Sequence, residues 1–224
     1  MSVVVAIKQD GWVYLGADSQ VTKGGTRRTL KNPNNYKIWK VKGANNCLMA
    51  HVGNVRDANV IRIMNDTVDQ LAQCQDCVDF ELVVGDLVPH IIHQLHSFGY
   101  VAKEDGKEFS GMSSEFLFAY EDKLFHINGD GCVIEVDDCI AIGSGAPEAI
   151  GSVLSTAEEE DPRARIIKAI KASAANDIYV DYPIILADTE TTDFDVIYES
   201  GRVEDKEEEP QTDRRKTHEV RKGR

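Results

Sequence analysis

Ser2 follows the initiator methionine, and a small residue in that place is the usual circumstance in which Met1 is trimmed, leaving serine at the head of the chain. Its hydroxyl would then lie beside its own α-amine. An unperturbed α-amine titrates at about 7.7 to 8.0, near enough to neutrality to take the hydroxyl proton and later pass it to a leaving amine. Nucleophile and base can therefore be one residue. Asp18, in Gly16-Ala17-Asp18-Ser19, stands where a returning strand would end beside Ser2, and a carboxylate there can orient a cationic neighbour. Lys37 opens Lys37-Ile38-Trp39 and could be that neighbour. Its ammonium would lower the pKa of hydroxyl and amine by disfavouring added positive charge. Taken singly, Met-Ser is a common start and either charge reads as ordinary surface. The combination points to acyl transfer.

The elements needed to bring these residues together are legible from periodicity. Val3 to Ile7 and Gly11 to Asp18 read as two strands around Asp10-Gly11, where the glycine suits a hairpin turn. A polar loop rich in Lys, Gly and Asn follows. Tyr36 to Lys42 and Cys47 to Val52 form a second hairpin around Gly43 to Asn46. Val60, Met64, Val68 and Leu71 recur at helical spacing, as do Val84, Leu87, Ile91, Leu95 and Phe98, with Pro89 tolerable if that helix begins near Asp86. Glu115 to Glu121, Leu124 to Asn128, Cys132 to Asp137 and Cys139 to Gly143 read as a second antiparallel sheet. Helices at Pro147 to Glu158 and Pro162 to Ala175 precede two last strands, Tyr182 to Asp188 and Phe194 to Tyr198. This order predicts an α+β fold, two stacked sheets each covered by a helix pair, as a four-layer αββα sandwich.

Composition narrows the function classes. The 224 residues are 42% hydrophobic and 28% charged, ordinary for a soluble globular protein. No window approaches the roughly eighteen apolar residues of a membrane span, and the N-terminus lacks the basic region and cleavage site of a secretory signal. Five cysteines, an odd number, fit reduced thiols and a cytoplasmic location. A net charge of −13 disfavours a nucleic-acid binder. The charge is uneven, with eight basic and two acidic residues in positions 1–42, so a basic lobe sits on an acidic body. Arg27-Arg28-Thr29-Leu30-Lys31 reads first as a solvated loop. Positions 203–224 hold seven acidic and seven basic residues with almost nothing apolar, which predicts a disordered tail after a single domain at 1–202.

The motifs, in order, resemble the N-terminal nucleophile hydrolases of the proteasome β-subunit and bacterial HslV type. Ser2-Val3-Val4-Val5-Ala6 is similar to the family's first strand, Gly16 to Thr22 to its strand-end aspartate motif, and Tyr36 to Val41 to its lysine strand. Ala50-His51-Val52-Gly53-Asn54-Val55-Arg56-Asp57-Ala58 looks like the glycine segment leading into the first helix. Ile140 to Pro147 is similar to the glycine-serine-glycine turn, and Ala175 to Tyr179 to the segment after the fourth helix. The resemblance spans roughly residues 2 to 199. It implies Ser2 as nucleophile and base, Asp18 and Lys37 as its tuning pair, and Gly53 as an oxyanion donor. Ser144 and Asp177 would support the N-terminus, while Asn54 and Val55 would line the pocket for the side chain before the cut bond. Proteolytic members use threonine where this chain has Ser2. The segment between Asp18 and Lys37 is longer than the family's, which leaves Lys40 as the alternative lysine. The resemblance further implies a peptidase acting on peptides or unfolded proteins in a homo-oligomeric ring, with an ATP-dependent unfoldase as a possible partner; the alternatives are a catalytically silent ring scaffold of the same fold and a non-proteolytic amidohydrolase, since serine is the nucleophile in some amidase relatives.

Other signals are weaker. Cys74-Gln75-Asp76-Cys77 has no second pair at zinc-ribbon spacing. His90, His93 and His96 share a helix side but lack the glutamate of a metalloprotease, so they read as partly solvated residues. Gly143-Ser144-Gly145 is not a nucleophile elbow. No cofactor or metal is expected, and neither nucleic acid nor membrane is an expected partner.

Overall fold

The computed structural model describes residues 2–64, 78–99 and 112–199. The chain opens with the expected hairpin, β1 (Val3–Gln9) and β2 (Trp12–Ala17), turning at Asp10 and Gly11 with φ of 53° and 83°. Next comes a feature read above only as a polar loop: a small hairpin of β3 (Gln20–Lys23) and β4 (Thr26–Thr29). Every residue of β4 is exposed, so no apolar alternation marks it. Gly24-Gly25, both at positive φ, is the turn signal that identifies it.

β5 (Ile38–Lys40) and β6 (Cys47–Gly53) form the next hairpin, and α1 (Val55–Arg62) follows. Val68, Leu71, Cys74 and Cys77 lie outside the described residues. The second helix begins earlier than expected, with a helical turn at Phe80–Leu82 and a π-helical turn at Val83–Leu87 leading into α2 (Val88–Ser97). Pro89 falls in the first turn of α2, where its missing N–H costs little. The remaining elements are β7 (Ser114–Tyr120), β8 (Lys123–Ile127), β9 (Val133–Glu135), β10 (Cys139–Gly143), α3 (Ala146–Ser155), α4 (Pro162–Asn176), β11 (Ile184–Asp188) and β12 (Asp195–Ile197).

The larger sheets have the orders β10-β1-β2-β11-β12 and β5-β6-β7-β8-β9. This corrects one expectation, because β10 belongs to the first sheet and pairs with β1, whereas the sequence places it beside its neighbours β7 to β9. Period-two alternation then sorts the side chains into layers. On β1, Val3, Val5 and Ile7 face α3 and α4, meeting Ala149, Val153, Ile166 and Ile170. Val4 and Ala6 face the other sheet, meeting Ile38, Leu48, Ala50 and Leu117. On β6 and β7 the opposite face carries Cys47, Met49, Phe116 and Phe118 toward α1 and α2. The result is the four-layer αββα sandwich. Each fully buried valine, leucine or phenylalanine in these layers is favoured by about 1.5 to 3 kcal/mol over its exposed state.

Candidate active site

β1 and β2 pair Val4 with Ala17, so Asp18 comes out beside Val3 at the sheet end. There its carboxylate accepts Val3 N–H at 2.9 Å and Lys37 Nζ at 2.6 Å on Oδ1, and Gln20 N–H at 2.9 Å on Oδ2. Asp18 is fully buried and Lys37 is 3% exposed. Asp18 directly follows β2 of one sheet and Lys37 directly precedes β5 of the other, so the ion pair ties the two sheets. Burial lowers the Lys37 pKa, opposed by the Asp18 carboxylate and its hydrogen bond and then by the charge of Asp177. Lys40 lies elsewhere, half-exposed with Nζ 3.7 Å from Asp193.

Ser2 is 5% exposed and held by a turn about 140 positions away in sequence. Its N–H donates to Ser144 Oγ at 3.0 Å, and its carbonyl accepts Gly145 N–H at 3.2 Å and the Ser144 hydroxyl at 3.4 Å. Only glycine fits at 143, where φ is +98° and a Cβ would lie 2.3 Å from the Ser2 carbonyl oxygen. Ser173 Oγ donates to the Gly145 carbonyl at 2.7 Å, anchoring the turn to α4. Asp177 caps the end of α4; its Oδ1 accepts Tyr179 N–H at 2.8 Å, and its buried Oδ2 has no hydrogen-bond partner among the described residues.

Gly53 ends β6 at φ +112° against the carbonyl of Ser113. Asn54 is the N-cap of α1, its side chain accepting Arg56 N–H and its own N–H donating to Ser114 Oγ at 2.9 Å. Ser114 in turn donates to Asp57 Oδ2 at 2.9 Å. Burial raises the Asp57 pKa, and the Ser114 hydrogen bond opposes it.

Ser2, Lys37, Gly53, Asn54 and Val55 all line one cleft of about 600 Å³. Asp18 is not in its lining but bonds Lys37 from behind. Ser144 lies in a second hollow of about 570 Å³, which shares Gly53 with the first. Asp177 lines neither.

Four residues with evident structural parts at this site carry no role in the sequence reading: Gln20, His51, Asp57 and Ser114. Gln20 Nε2 donates to Thr22 Oγ1 and the Ile178 carbonyl, both at 2.9 Å, joining β3 to the segment after α4. His51 lines the cleft at 4% exposure. Burial above all, then the charges of Lys37 and Arg62, push its pKa down to about 3, so it is neutral. One signal for it was available, a lone titratable residue inside the apolar run Leu48 to Val52.

The competing motifs contribute little. Among the described residues no group of three His, Cys, Asp or Glu side chains could hold a metal. His93 and His96 are exposed and His90 is half-buried, and the described cysteines, Cys47, Cys132 and Cys139, are free thiols. No helix among the described residues is long and apolar enough to cross a membrane.

The proteasome subunit family matches residues 2–187. Among solved structures, Thiobacillus denitrificans BPH in complex with epoxomicin superposes with a TM-score of 0.64 at 19% identity, covering 83% of this chain and 97% of that one. The eukaryotic HslV of Trypanosoma brucei gives 0.61 at 15% identity, covering 83% and 98%. A Gly-1 mutant of Anbu from Hyphomicrobium sp. strain MC1 gives 0.62 at 13% identity, covering 87% and 84%. These structures share the sandwich fold, and the family match spans both glycine turns, the aspartate and the lysine. The chain belongs to the proteasome subunit family, with the αββα fold of the N-terminal nucleophile hydrolases.

Proposed function

We propose that the chain is a peptidase that cuts peptide bonds with Ser2 as an N-terminal nucleophile, after removal of Met1, inside a homo-oligomeric chamber. The observation that carries this reading is the meeting of Ser2, Lys37 and Gly53 in one cleft, with Asp18 buried behind the lysine. In the trimmed chain the Ser2 nitrogen, which donates to Ser144 Oγ, is a primary amine. That amine takes the hydroxyl proton as Ser2 Oγ adds to the substrate carbonyl, and it returns the proton to the departing amine. Water then attacks the resulting ester with the amine again as base, releasing the second product. The Lys37 ammonium, charged through its pair with Asp18, disfavours protonation of the resting amine and so keeps it a base. Gly53 N–H is the donor for the oxyanion, a contribution of about 2.7 to 4 kcal/mol to lowering the barrier. Ser144 holds the amine end, Asp177 acts on it only through its charge on Lys37, and Asn54 and Val55 line the subsite for the residue before the cut.

Work in the cytoplasm and delivery of unfolded protein by an ATP-dependent unfoldase complete the proposal. A chamber is the form in which an intracellular peptidase is harmless to its surroundings. The decisive experiment compares fluorogenic-peptide hydrolysis by four assembled proteins: the trimmed chain, a form with an uncleavable N-terminal extension, Ser2→Ala and Ser2→Thr. Only the trimmed chain and Ser2→Thr should turn over, because an amide nitrogen has no free lone pair to accept the proton. Epoxomicin, seen bound to the Thiobacillus denitrificans protein, should inhibit the trimmed form. Light scattering should show at least a hexamer. Full activity in the extended form overturns the mechanism, and an assembled, trimmed, wholly inactive protein means a silent ring scaffold.

A further inference from the structure

We infer that the acidic run at positions 204–209 docks on the basic β3–β4 hairpin of its own chain, a salt-sensitive contact made where the last strand leaves the fold. Positions 19–35 carry four basic residues, Lys23, Arg27, Arg28 and Lys31, and no acidic one, in a chain whose net charge is −13. All four are exposed. Arg27 pairs with Asp181 at 2.9 Å, and among the described residues no carboxylate forms an ion pair with Lys23, Arg28 or Lys31. The run Glu204-Asp205-Lys206-Glu207-Glu208-Glu209 holds five acidic residues and one basic.

The two are neighbours because of the register of β11 and β12. These strands pair Ile184 with Ile197, and the same register carried outward sets Glu199 opposite Tyr182. Burial raises the Tyr182 pKa, and the charges of Glu199 and then Asp181 add to the effect, so both carboxylates lie beside this residue. Asp181 in turn grips the hairpin from both ends: its carboxylate holds Arg27 of β4, and its carbonyl accepts Ser19 N–H at 3.1 Å just before β3. Glu199 therefore stands about one strand spacing, roughly 4.8 Å, from the segment that carries Asp181. Glu204 is five residues further on, and an extended chain covers up to about 3.3 to 3.6 Å per residue, enough to bring the run over Arg28 and Lys31. A single exposed ion pair contributes little, but several carboxylates facing cations already fixed on a β ladder form a network in which only one side has to be ordered. Arg28 pairs with Val21 in that ladder and shares its face, and Val21, Thr22, Lys23 and Leu30 line the cleft, so the docked run lies along the mouth of the cleft.

The test uses the full chain and carbodiimide coupling, which joins a carboxylate to a lysine only where the two touch. Mass spectrometry should find Lys31 or Lys23 joined to positions 204–209, in a product that runs as a monomer in denaturing electrophoresis. Raising salt from about 0.1 to about 1 M, which shortens the screening length from about 10 to about 3 Å, should lower the yield about ten-fold. Arg28→Glu, which removes no reactive amine, should lower it as much at the lower salt, and Arg28→Lys should keep it. A protease specific for glutamate should cut positions 204–209 about ten-fold more slowly in the unaltered protein than in Arg28→Glu, the factor that corresponds to about 1.4 kcal/mol. Coupling of the run to Lys216 or Lys222 in its place, a covalent dimer as the main product, or a yield indifferent to Arg28→Glu overturns the inference. Neither readout involves Ser2, so Ser2→Ala should give the same result and the peptidase reading stands or falls separately.

Discussion

β6 and β10 both end on a glycine in the left-handed region, Gly53 at φ +112° and Gly143 at φ +98°, and each passes within three residues into a helix. The supports of the two turns differ. The Gly53 turn leans on its own sheet: a Cβ there would lie 2.5 Å from the Ser113 carbonyl, Ser114 holds Asn54 N–H, and Asn54 caps α1. The Gly143 turn leans on Ser2, whose carbonyl is the atom a Cβ would strike, and α3 has no side-chain cap. The backbone near the cleft at Gly53 is therefore fixed independently of the N-terminus, while Ser2 and the Gly143 turn fix each other. Asp18 and Lys37 link the sheets that carry the two turns.

The largest effect should come from cutting that link. Removing one partner of a buried ion pair costs about 3 to 5 kcal/mol, because the other charge stays buried without compensation. Lys37→Ala should therefore lower stability by that amount and, if the proposed chemistry holds, reduce kcat about a hundred-fold or more. Lys40→Ala, which removes only an exposed pair, should change stability by less than about 1 kcal/mol. Urea denaturation and peptide hydrolysis on both variants check this, and equal losses would mean that the two sheets are not coupled through Lys37.

Glycine replacement comes next. Gly143→Ala should cost about 3 kcal/mol through forced backbone strain and should displace Ser2 as well. Gly53→Ala should cost a similar amount while leaving the Ser2 contacts in place. Thermal melts with hydrogen exchange at Val3 separate the two, since only Gly143→Ala should raise exchange there.

How much of this was readable in advance depended on the distance in sequence between partners. The β1–β2 hairpin needed only Asp10-Gly11 and alternating neighbours, and α3 and α4 were marked by Pro147 and Pro162 near their starts. Periodicity identified β10 as a strand, but it names no partner, and proximity suggested the wrong sheet. β4 was missed because all four of its side chains are exposed. Residue chemistry made Ser2, Asp18 and Lys37 candidates, and the resemblance in motif order added Gly53, Ser144 and Asp177. The bond from Ser114 to Asp57 spans 57 positions and involves residue types that are ordinary at any surface, so only the fold reveals it.

The two serines give a smaller, sharper test. Ser114→Ala leaves the buried Asp57 carboxyl and Asn54 N–H each short of a partner, a cost of about 1 to 3 kcal/mol. Ser144→Ala removes a part-buried bond to the Ser2 nitrogen and should cost nearer 1 kcal/mol, yet it should reduce activity more than Ser114→Ala does. The opposite ranking of stability and activity would show that the Gly53 turn, and not the Gly143 turn, positions Ser2.

The last difference is in response to acid. His51 stands two residues before Gly53, and its counterpart two before Gly143 is Ala141. His51 has its pKa pushed down to about 3 by burial, with Lys37 and Arg62 adding to the effect. In the unfolded chain an imidazole titrates near about 6.5. Below that pH the unfolded state takes up a proton that the folded state refuses, so stability is full above about 6.5 and falls as pH drops toward 3. The slope is about 1.4 kcal/mol per pH unit, or roughly 2 kcal/mol between pH 7 and pH 5. Urea midpoints of the unaltered protein and of His51→Gln at those two values give the test. His51→Gln should be less stable at pH 7 but should lose about 2 kcal/mol less on going to pH 5. Parallel losses would mean that His51 accepts a proton in the folded protein, and the acid response would then belong to both turns alike.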